Sequence, residues 1–350
     1  IAFTVLGLTF LDPLLKAFGA TETIMEYARE YTMVIIMGSI LNMMNMTMNN
    51  LVRAEGNAPR FMMAMVSGAL LNVALDPLFI FGFGMGVVGA ALATVISQSV
   101  STMILLEYYL RKKSYTRLSI KLYRFSLHIY GEIFKIGLPT FLRQFLSSFS
   151  VALLNNAAAV YGDHAVASVG ITMRVLMLGM MVLFGYGQAF QPVTGYNYGA
   201  KNYSRIFEAL KFSLIVTTAF AIVFGIAGMV FPGMIINIFS DDPKVIEIGS
   251  QALRAVSIFF PTFGFVLTFN YLFQGMGKGL SAGILSMAKQ GIFLIPAVIT
   301  LPRIFGLNGV IYAQTVADFF TLFVAGILAI RAIKKLRIES RSQIADGRAG

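Results

Sequence analysis

Asp76 is the residue whose placement asks most of its surroundings. It lies inside an apolar stretch, 61–82, six residues before that stretch ends. On a helix rising 1.5 Å per residue that is about 9 Å from the end. Asn72 stands four residues earlier, which puts amide and carboxylate on one helical face. The next apolar stretch, 87–110, runs back the other way and carries Thr94 about seven residues in, at a depth of about 10 Å. Tyr31 enters the stretch 27–52 from the same end. A carboxylate, an amide oxygen and hydroxyls are hard oxygen ligands, of the kind small cations prefer. Lipid disfavours a bare carboxylate, so Asp76, Asn72, Thr94 and Tyr31 read as a site that takes up H+ or Na+. Two plainer readings stand beside this one. Pro77 disfavours helical geometry in the residue before it, so Asp76 could open a turn, as Asp12 would before Pro13. Tyr31 could be an interfacial aromatic.

A second polar group belongs to the later half of the chain. Arg143 is about ten residues into the stretch 133–160, and Asp318 about twelve into 306–332. Both positions fall near the middle of a bilayer, about 15 and 18 Å deep. A lone charge there is costly. The expectation is that Arg143 and Asp318 pair, with Gln144 nearby, either as glue between helices or on the path of a transported solute. Asn42, Asn45 and Asn49 form a polar stripe at i, i+3 and i+7. It either faces a central cleft or hydrogen-bonds neighbouring helices.

The elements that must position these groups follow from composition. Of 350 residues 57% are hydrophobic and only 12% charged, against about 25% charged in soluble domains. Ten apolar stretches are long enough to cross a bilayer: 1–18, 27–52, 61–82, 87–110, 133–160, 165–190, 206–233, 245–273, 280–302 and 306–332. Short alternating strands of a barrel are not what these runs look like, so the fold class is an all-α integral membrane protein. With no cysteine there is no disulfide or thiolate metal site. His128 and His164 fall at expected loop positions, so no nucleophile–base or histidine–metal constellation points to an enzyme.

The net charge of +11 is not a nucleic-acid signature. Arg111, Lys112, Lys113, Arg117, Lys121 and Arg124 crowd one loop, and Arg331, Lys334, Lys335, Arg337 and Arg341 crowd the end of the chain. Loops of the same parity hold Arg53, Arg60, Lys201, Arg205 and Lys278, whereas the alternate loops hold only Lys16, Lys244 and Arg303. This is the positive-inside asymmetry. It places the basic loop and the C-terminus in the cytoplasm.

The chain also repeats itself. Phe10–Gly56 lies over Phe231–Gly277 without a gap, pairing Glu26 with Glu247, Asn49 with Asn270 and Gly56 with Gly277. Further on Gly86 and Gly89 meet Gly306 and Gly309, with a slip of one residue. In this register Thr94 meets Gln314, and Asp76 meets Pro296 or Ala297, so the acid is lost from the second copy. The expected organisation is an N-terminal lobe (1–112), a basic cytoplasmic linker (113–131), a C-terminal lobe (132–336) and a cytoplasmic tail (337–350). A repeat of six helices implies two like bundles, related by an axis along the membrane normal and facing a central cleft. It also implies that about 90 residues, two helices and part of a third, precede Ile1 in the whole protein.

Four segments carry a resemblance. They are Arg53-Ala-Glu-Gly-Asn57 continuing to Asn72–Gly86 and Gly89–Gln98; Gly137-Leu-Pro139 with Asn155-Asn156; Gln191-Pro192-Val-Thr-Gly195-Tyr-Asn-Tyr-Gly199; and Phe273-Gln-Gly-Met-Gly277. Together they resemble the MATE (multidrug and toxic compound extrusion) family. The resemblance implies a twelve-helix, two-lobed exporter, about ten helices being present here, that expels organic and often cationic drugs in exchange for H+ or Na+. It implies no other cofactor, a monomer in the inner membrane, and small-molecule drugs and lipid as its only partners. Asn72 and Asp76 on its fifth helix and Thr94 on its sixth would belong to the cation site, with Tyr31 of the fourth nearby. The family's first-helix aspartate would precede Ile1. Pliable methionines and aromatic faces suit a pocket for many cations, and those of helices seven, eight and ten are the expected lining. A lipid-linked oligosaccharide flippase of the same wider superfamily is the alternative, although it would need many embedded cations for phosphates, and few besides Arg143 and Arg174 are available.

Overall fold

A computed structural model describes residues 2–17, 22–111, 114 and 125–345. Lys112, Lys113, Arg117, Lys121 and Arg124 of the basic loop lie outside the described residues, as do the side chains of Pro139 and Arg143. The described chain is helical, in two compact units, Ile1–Phe125 and Ser126–Gly350.

The first unit contains α1 (Ala2–Thr9), α2 (Leu11–Ala17), α3 (Glu22–Met37), α4 (Ser39–Ala54), α5 (Ala58–Pro77), a π-helical turn (Leu78–Gly82) and α6 (Gly86–Leu110). Helices α3 and α4 are apolar and long enough together to cross a membrane and meet at a bend of 52°. The break is at Gly38, where a Cβ would meet the Val95 side chain of α6, so the bend and the close approach to α6 have one cause. The apolar surface of α5 points outward. Only 6% of its most apolar window is buried, with Met62, Val66, Leu70 and Val73 exposed. At one end α5 and α6 are tied by Arg60 Nη2 to Glu107 Oε2 at 2.7 Å.

The second unit contains α7 (Leu127–Ala159), α8 (Asp163–Gly199), α9 (Tyr203–Val230), α10 (Pro232–Asn237), α11 (Pro243–Gly275), α12 (Gly279–Met287), a second π-helical segment (Ala288–Leu294), α13 (Ile295–Phe305) and α14 (Leu307–Ala345). Its centre is α11, which packs on α8, α9, α10, α12 and α14. Small and hydroxylated residues let the backbones meet. Thr217 Oγ1 lies 3.0 Å from Thr268 Oγ1 and donates to the Gly264 carbonyl, and a Cβ on Gly264 would stand 2.7 Å from the Thr217 carbonyl.

Seven described helices are long and apolar enough to cross a membrane, eight if the bent α3–α4 pair is one span. Of the ten expected stretches, 1–18 divides into the short α1 and α2, and 133–160 lies in the long α7. Helix α14 continues to Ala345, into the stretch expected to form a tail, and Leu336, just before that stretch, is fully buried in a cluster with Phe190, Phe269 and Leu272. His128 and His164 stand in the first turns of α7 and α8 rather than in loops.

The repeat has a local structural cause. Gly56 and Gly277 follow α4 and α11 with φ of 77° and 71°, a left-handed conformation that costs glycine little. Each is followed by a new helix, α5 or α12. A Cβ on Gly89 would meet the Phe79 backbone at 2.8 Å, and one on Gly309 would collide with the Leu301 carbonyl. The helix hairpins α5–α6 and α13–α14 close on the same missing side chain.

Candidate cation site

The segment holding Asp76 is not a surface turn. Helix α5 runs through Asp76 to Pro77, and Pro77 keeps helical dihedrals (φ −65°, ψ −33°). Proline has no N–H to donate and disrupts the regular ladder. The chain answers by widening. Leu78 N–H reaches back only to the Leu75 carbonyl, and Phe83 N–H donates to Leu78 O, five residues back, at 2.9 Å. The plainer reading, in which Pro77 turns Asp76 out of the helix, fails because the π turn absorbs the missing bond. π-bulges within helices are frequent at functional sites.

Within α5, Asn72 Nδ2 donates to Asp76 Oδ1 at 3.2 Å, and both residues are half-buried. Asn72 therefore presents its amide nitrogen to the carboxylate and leaves its carbonyl oxygen for another partner. Asn72 also lines a cavity of about 230 Å³ between α4, α5 and α6, together with Asn45, Gly68, Ala69, Thr94, Ser97, Gln98 and others. Asp76, one turn further along α5, is not among the lining residues. The structure thus brings Asn72 and Thr94 to one cavity, and joins Asp76 to it through Asn72. Thr94 Oγ1 donates to the Ala90 carbonyl at 3.0 Å, so its lone pairs remain available. Tyr31 is 37% exposed on α3 and is not part of the lining.

The rest of the cavity was not singled out by sequence reasoning. Ser97 is buried and its hydroxyl has no hydrogen-bond partner. Gly68 earns its place by size, since a Cβ would come within 3.1 Å of Ser101 Cβ. The asparagine stripe divides by role. Asn42 is exposed. Asn45 donates to Thr102 Oγ1 at 3.1 Å and to the Gln98 carbonyl at 3.4 Å, and Asn49 donates to Asn45 Oδ1 at 2.7 Å. Of the three only Asn45 hydrogen-bonds a neighbouring helix, the second of the two readings, and it also reaches the cavity. Spacing alone marked the stripe; only the packing of α6 shows what it faces.

In the second unit Asp318 has a partner other than the one expected. Lys289 Nζ lies 2.6 Å from Asp318 Oδ1, with the two side chains 10% and 13% exposed. Lys289 also stands over the Phe263 ring, 4.3 Å from its centroid. Gln144 is exposed on α7, and the Arg143 side chain lies outside the described residues. Lys289 sits at the centre of the apolar stretch 280–302, where the depth count that marked Asp318 would also have marked it. A larger groove of about 350 Å³, lined by Phe265, Leu322, Phe323, Gly326, Ile327 and Ile330, is wholly apolar in its side chains and offers no ligand for an ion. Among the described residues there is no cluster of three or more His, Cys, Asp or Glu that could hold a metal.

Two units of membrane-spanning helices, with a half-buried carboxylate beside an oxygen-lined cavity in one of them, define a polytopic membrane protein of the transporter class. The MatE family model matches residues 1–78 and 139–300, well over half of the chain, and the chain belongs to that family. It is 28% identical over 343 residues to the multidrug export protein MepA of Staphylococcus haemolyticus (strain JCSC1435), covering 97% of this chain and 75% of that protein. MepA of Staphylococcus aureus (strain MRSA252) is 27% identical over 341 residues with the same coverage. Among solved structures, a MATE protein in the bent conformation matches with a TM-score of 0.87 at 27% identity, over 97% of this chain and 76% of that one. A multidrug resistance MATE family transporter of the MOP superfamily, solved facing outward, matches equally well over 96% of this chain.

Proposed function

We propose that this protein is a secondary multidrug exporter that expels organic, often cationic, compounds in exchange for H+ or Na+ taken up near Asp76. The observation that carries the reading is the Asn72–Asp76 hydrogen bond on a membrane-spanning helix, next to a cavity lined by Thr94 and Ser97. Family membership and the export proteins it resembles support the substrate class. Tyr31 takes an accessory position on the same route.

Coupling follows from the local mechanics. A proton or a sodium ion neutralises the Asp76 carboxylate and removes the cost of holding it away from water. The π turn after Pro77 is a weak point in the hydrogen-bond ladder of α5, and a helix bends where its ladder is interrupted. Occupancy then selects between two bends of α5, and the drug responds only as far as its affinity differs between them. On α7, Phe141, Phe145 and Phe149 stack at 6.3 Å centroid spacing and are all exposed on their unit; they are the proposed aromatic face for flat organic cations. The basic residues at the end of α14 support a cytoplasmic C-terminus. A lipid-linked oligosaccharide flippase would need many embedded cations free to meet phosphates; few are present, and one of them, Lys289, is paired with Asp318.

The test is efflux of a fluorescent organic cation from vesicles carrying the protein, with proton and sodium gradients imposed separately. Efflux should follow one of the two gradients and be lost in Asp76→Asn. Gradient-driven efflux that survives Asp76→Asn at the wild-type rate overturns the assignment.

A further inference from the structure

We propose that the second unit holds a separate cation site, shaped for a primary ammonium group and filled by the protein's own Lys289. Three observations meet there. The Lys289 ammonium has a carboxylate oxygen of Asp318 at 2.6 Å and the face of Phe263 at 4.3 Å. A carboxylate on one side and a ring face on the other is the chemistry that recognises an organic ammonium ion. Second, Lys289 projects from the π-helical segment Ala288–Leu294 rather than from a regular helix, and such segments are enriched at functional sites. The Lys289 ammonium makes no well-aligned hydrogen bond despite its short approach to Asp318, and two polar atoms near in sequence, Gln290 Oε1 and Thr315 Oγ1 one turn before Asp318, are likewise buried without hydrogen-bond partners.

The third observation is the repeat. In its register Asp318 corresponds to Gln98, and Lys289 to Gly68 or Ala69. Those three residues of the first unit line the 230 Å³ cavity. Where the first unit has at most a methyl group and leaves room, the second has a lysine. Where the first has a neutral amide, the second has a carboxylate. The second unit has converted the same location from an open cavity into a closed cation site whose ligand is tethered.

An ion pair this buried is a poor device for stability, because desolvating two charges offsets most of their attraction and apolar residues of similar volume do as well. A tethered ligand has another use: it competes. An outside amine reaches Asp318 only by displacing an ammonium held at high effective concentration. The unit is thereby kept from binding small monovalent amines, and cation exchange is left to the first unit.

The experiment restores the missing ligand from solution. Lys289→Ala removes Cγ, Cδ, Cε and Nζ, which together are n-propylammonium. In detergent, millimolar n-propylammonium should raise the thermal midpoint of Lys289→Ala by several degrees, saturably. 1-Propanol should not, and the amine should do nothing for wild type or for Lys289→Ala with Asp318→Asn. An equal response to amine and alcohol, or a response that persists without Asp318, overturns the proposal. If Lys289→Ala does not fold in plain buffer, it is produced with the amine or the alcohol present. Recovery with the amine alone supports the site, and failure with both refutes it. None of these readouts depends on transport, so they stand or fall apart from the proposed export function.

Discussion

The amide nitrogen of Asn72 donates to Asp76 Oδ1 at 3.2 Å across one turn of α5, and Asn72 is at the same time a wall of the cavity between α4, α5 and α6. A hydrogen bond to a charged group contributes about 1.5–3 kcal/mol. This one favours the ionised, cation-free carboxylate, so Asn72→Ala should tighten apparent proton affinity about 10- to 100-fold, read as the ion concentration giving half-maximal drug efflux, with maximal efflux retained. An unchanged half-maximal concentration would detach Asn72 from the coupling site.

Lys289 and Asp318 should behave as one unit. Asp318→Asn leaves a buried ammonium without its counter-charge, a change that costs about 3–5 kcal/mol. Folded yield and thermal midpoint should fall sharply. Adding Lys289→Met removes the stranded charge and should restore most of the loss. A double variant as unstable as the single one would show that the loss does not come from charge.

The glycines of the two helix hairpins should rank by crowding. A Cβ on Gly309 runs into the Leu301 carbonyl, whereas one on Gly89 meets the Phe79 backbone at 2.8 Å. Overpacking costs about 1–3 kcal/mol and sometimes more. Gly309→Ala should lower the folded yield more than Gly89→Ala, by fluorescence-detected size exclusion. The reverse order would contradict the packing described.

Asn45 is the cross-helix tie of the first unit, reaching Thr102 Oγ1 and the Gln98 carbonyl of α6. Interhelical hydrogen bonds within membranes average about 0.6 kcal/mol. Asn45→Leu should lower the thermal midpoint only slightly but alter efflux, since the same residue lines the cavity. A large stability loss with unaltered transport would reverse that assignment.

Asp242, outside the spans, caps α11. Desolvation pushes its carboxyl up, but the Lys244 and Val245 amides and His164 together outweigh this and leave its pKa below the ordinary value. A carboxylate depressed in the folded state adds stability above its unfolded pKa, about 3.9, and that stability is lost as pH falls through the folded value. The midpoint gap between wild type and Asp242→Asn should be open at pH 5–7 and narrow below about pH 3.9. A gap that does not change with pH would rule out a contribution from charge.

Much of the site was legible in the sequence because apolar surroundings make a polar residue conspicuous. Asp76, Asn72 and Thr94 stood out by depth and spacing alone, and the structure joins Asp76 to Asn72 and places Asn72 and Thr94 on one cavity. Ser97 and Gln98 did not stand out, since a serine or glutamine in such a helix has no periodic signature, and only the approach of α5 to α6 gives them a shared space. Pro77 left a second reading open. Its local rule favours a turn, and the π segment that overrides it depends on hydrogen bonds formed five residues apart.

Composition and periodicity determined the helical membrane class, because the cost of unpaired backbone groups in lipid leaves few alternatives. Repeated glycines marked the places where helices end or touch, because only glycine accepts those dihedrals and distances. Which charges meet was decided by tertiary structure alone. Asp318 could be placed at its depth by counting residues, but its partner Lys289 comes from another helix, and nothing in a linear count says how α14 is rotated against the π segment it packs on.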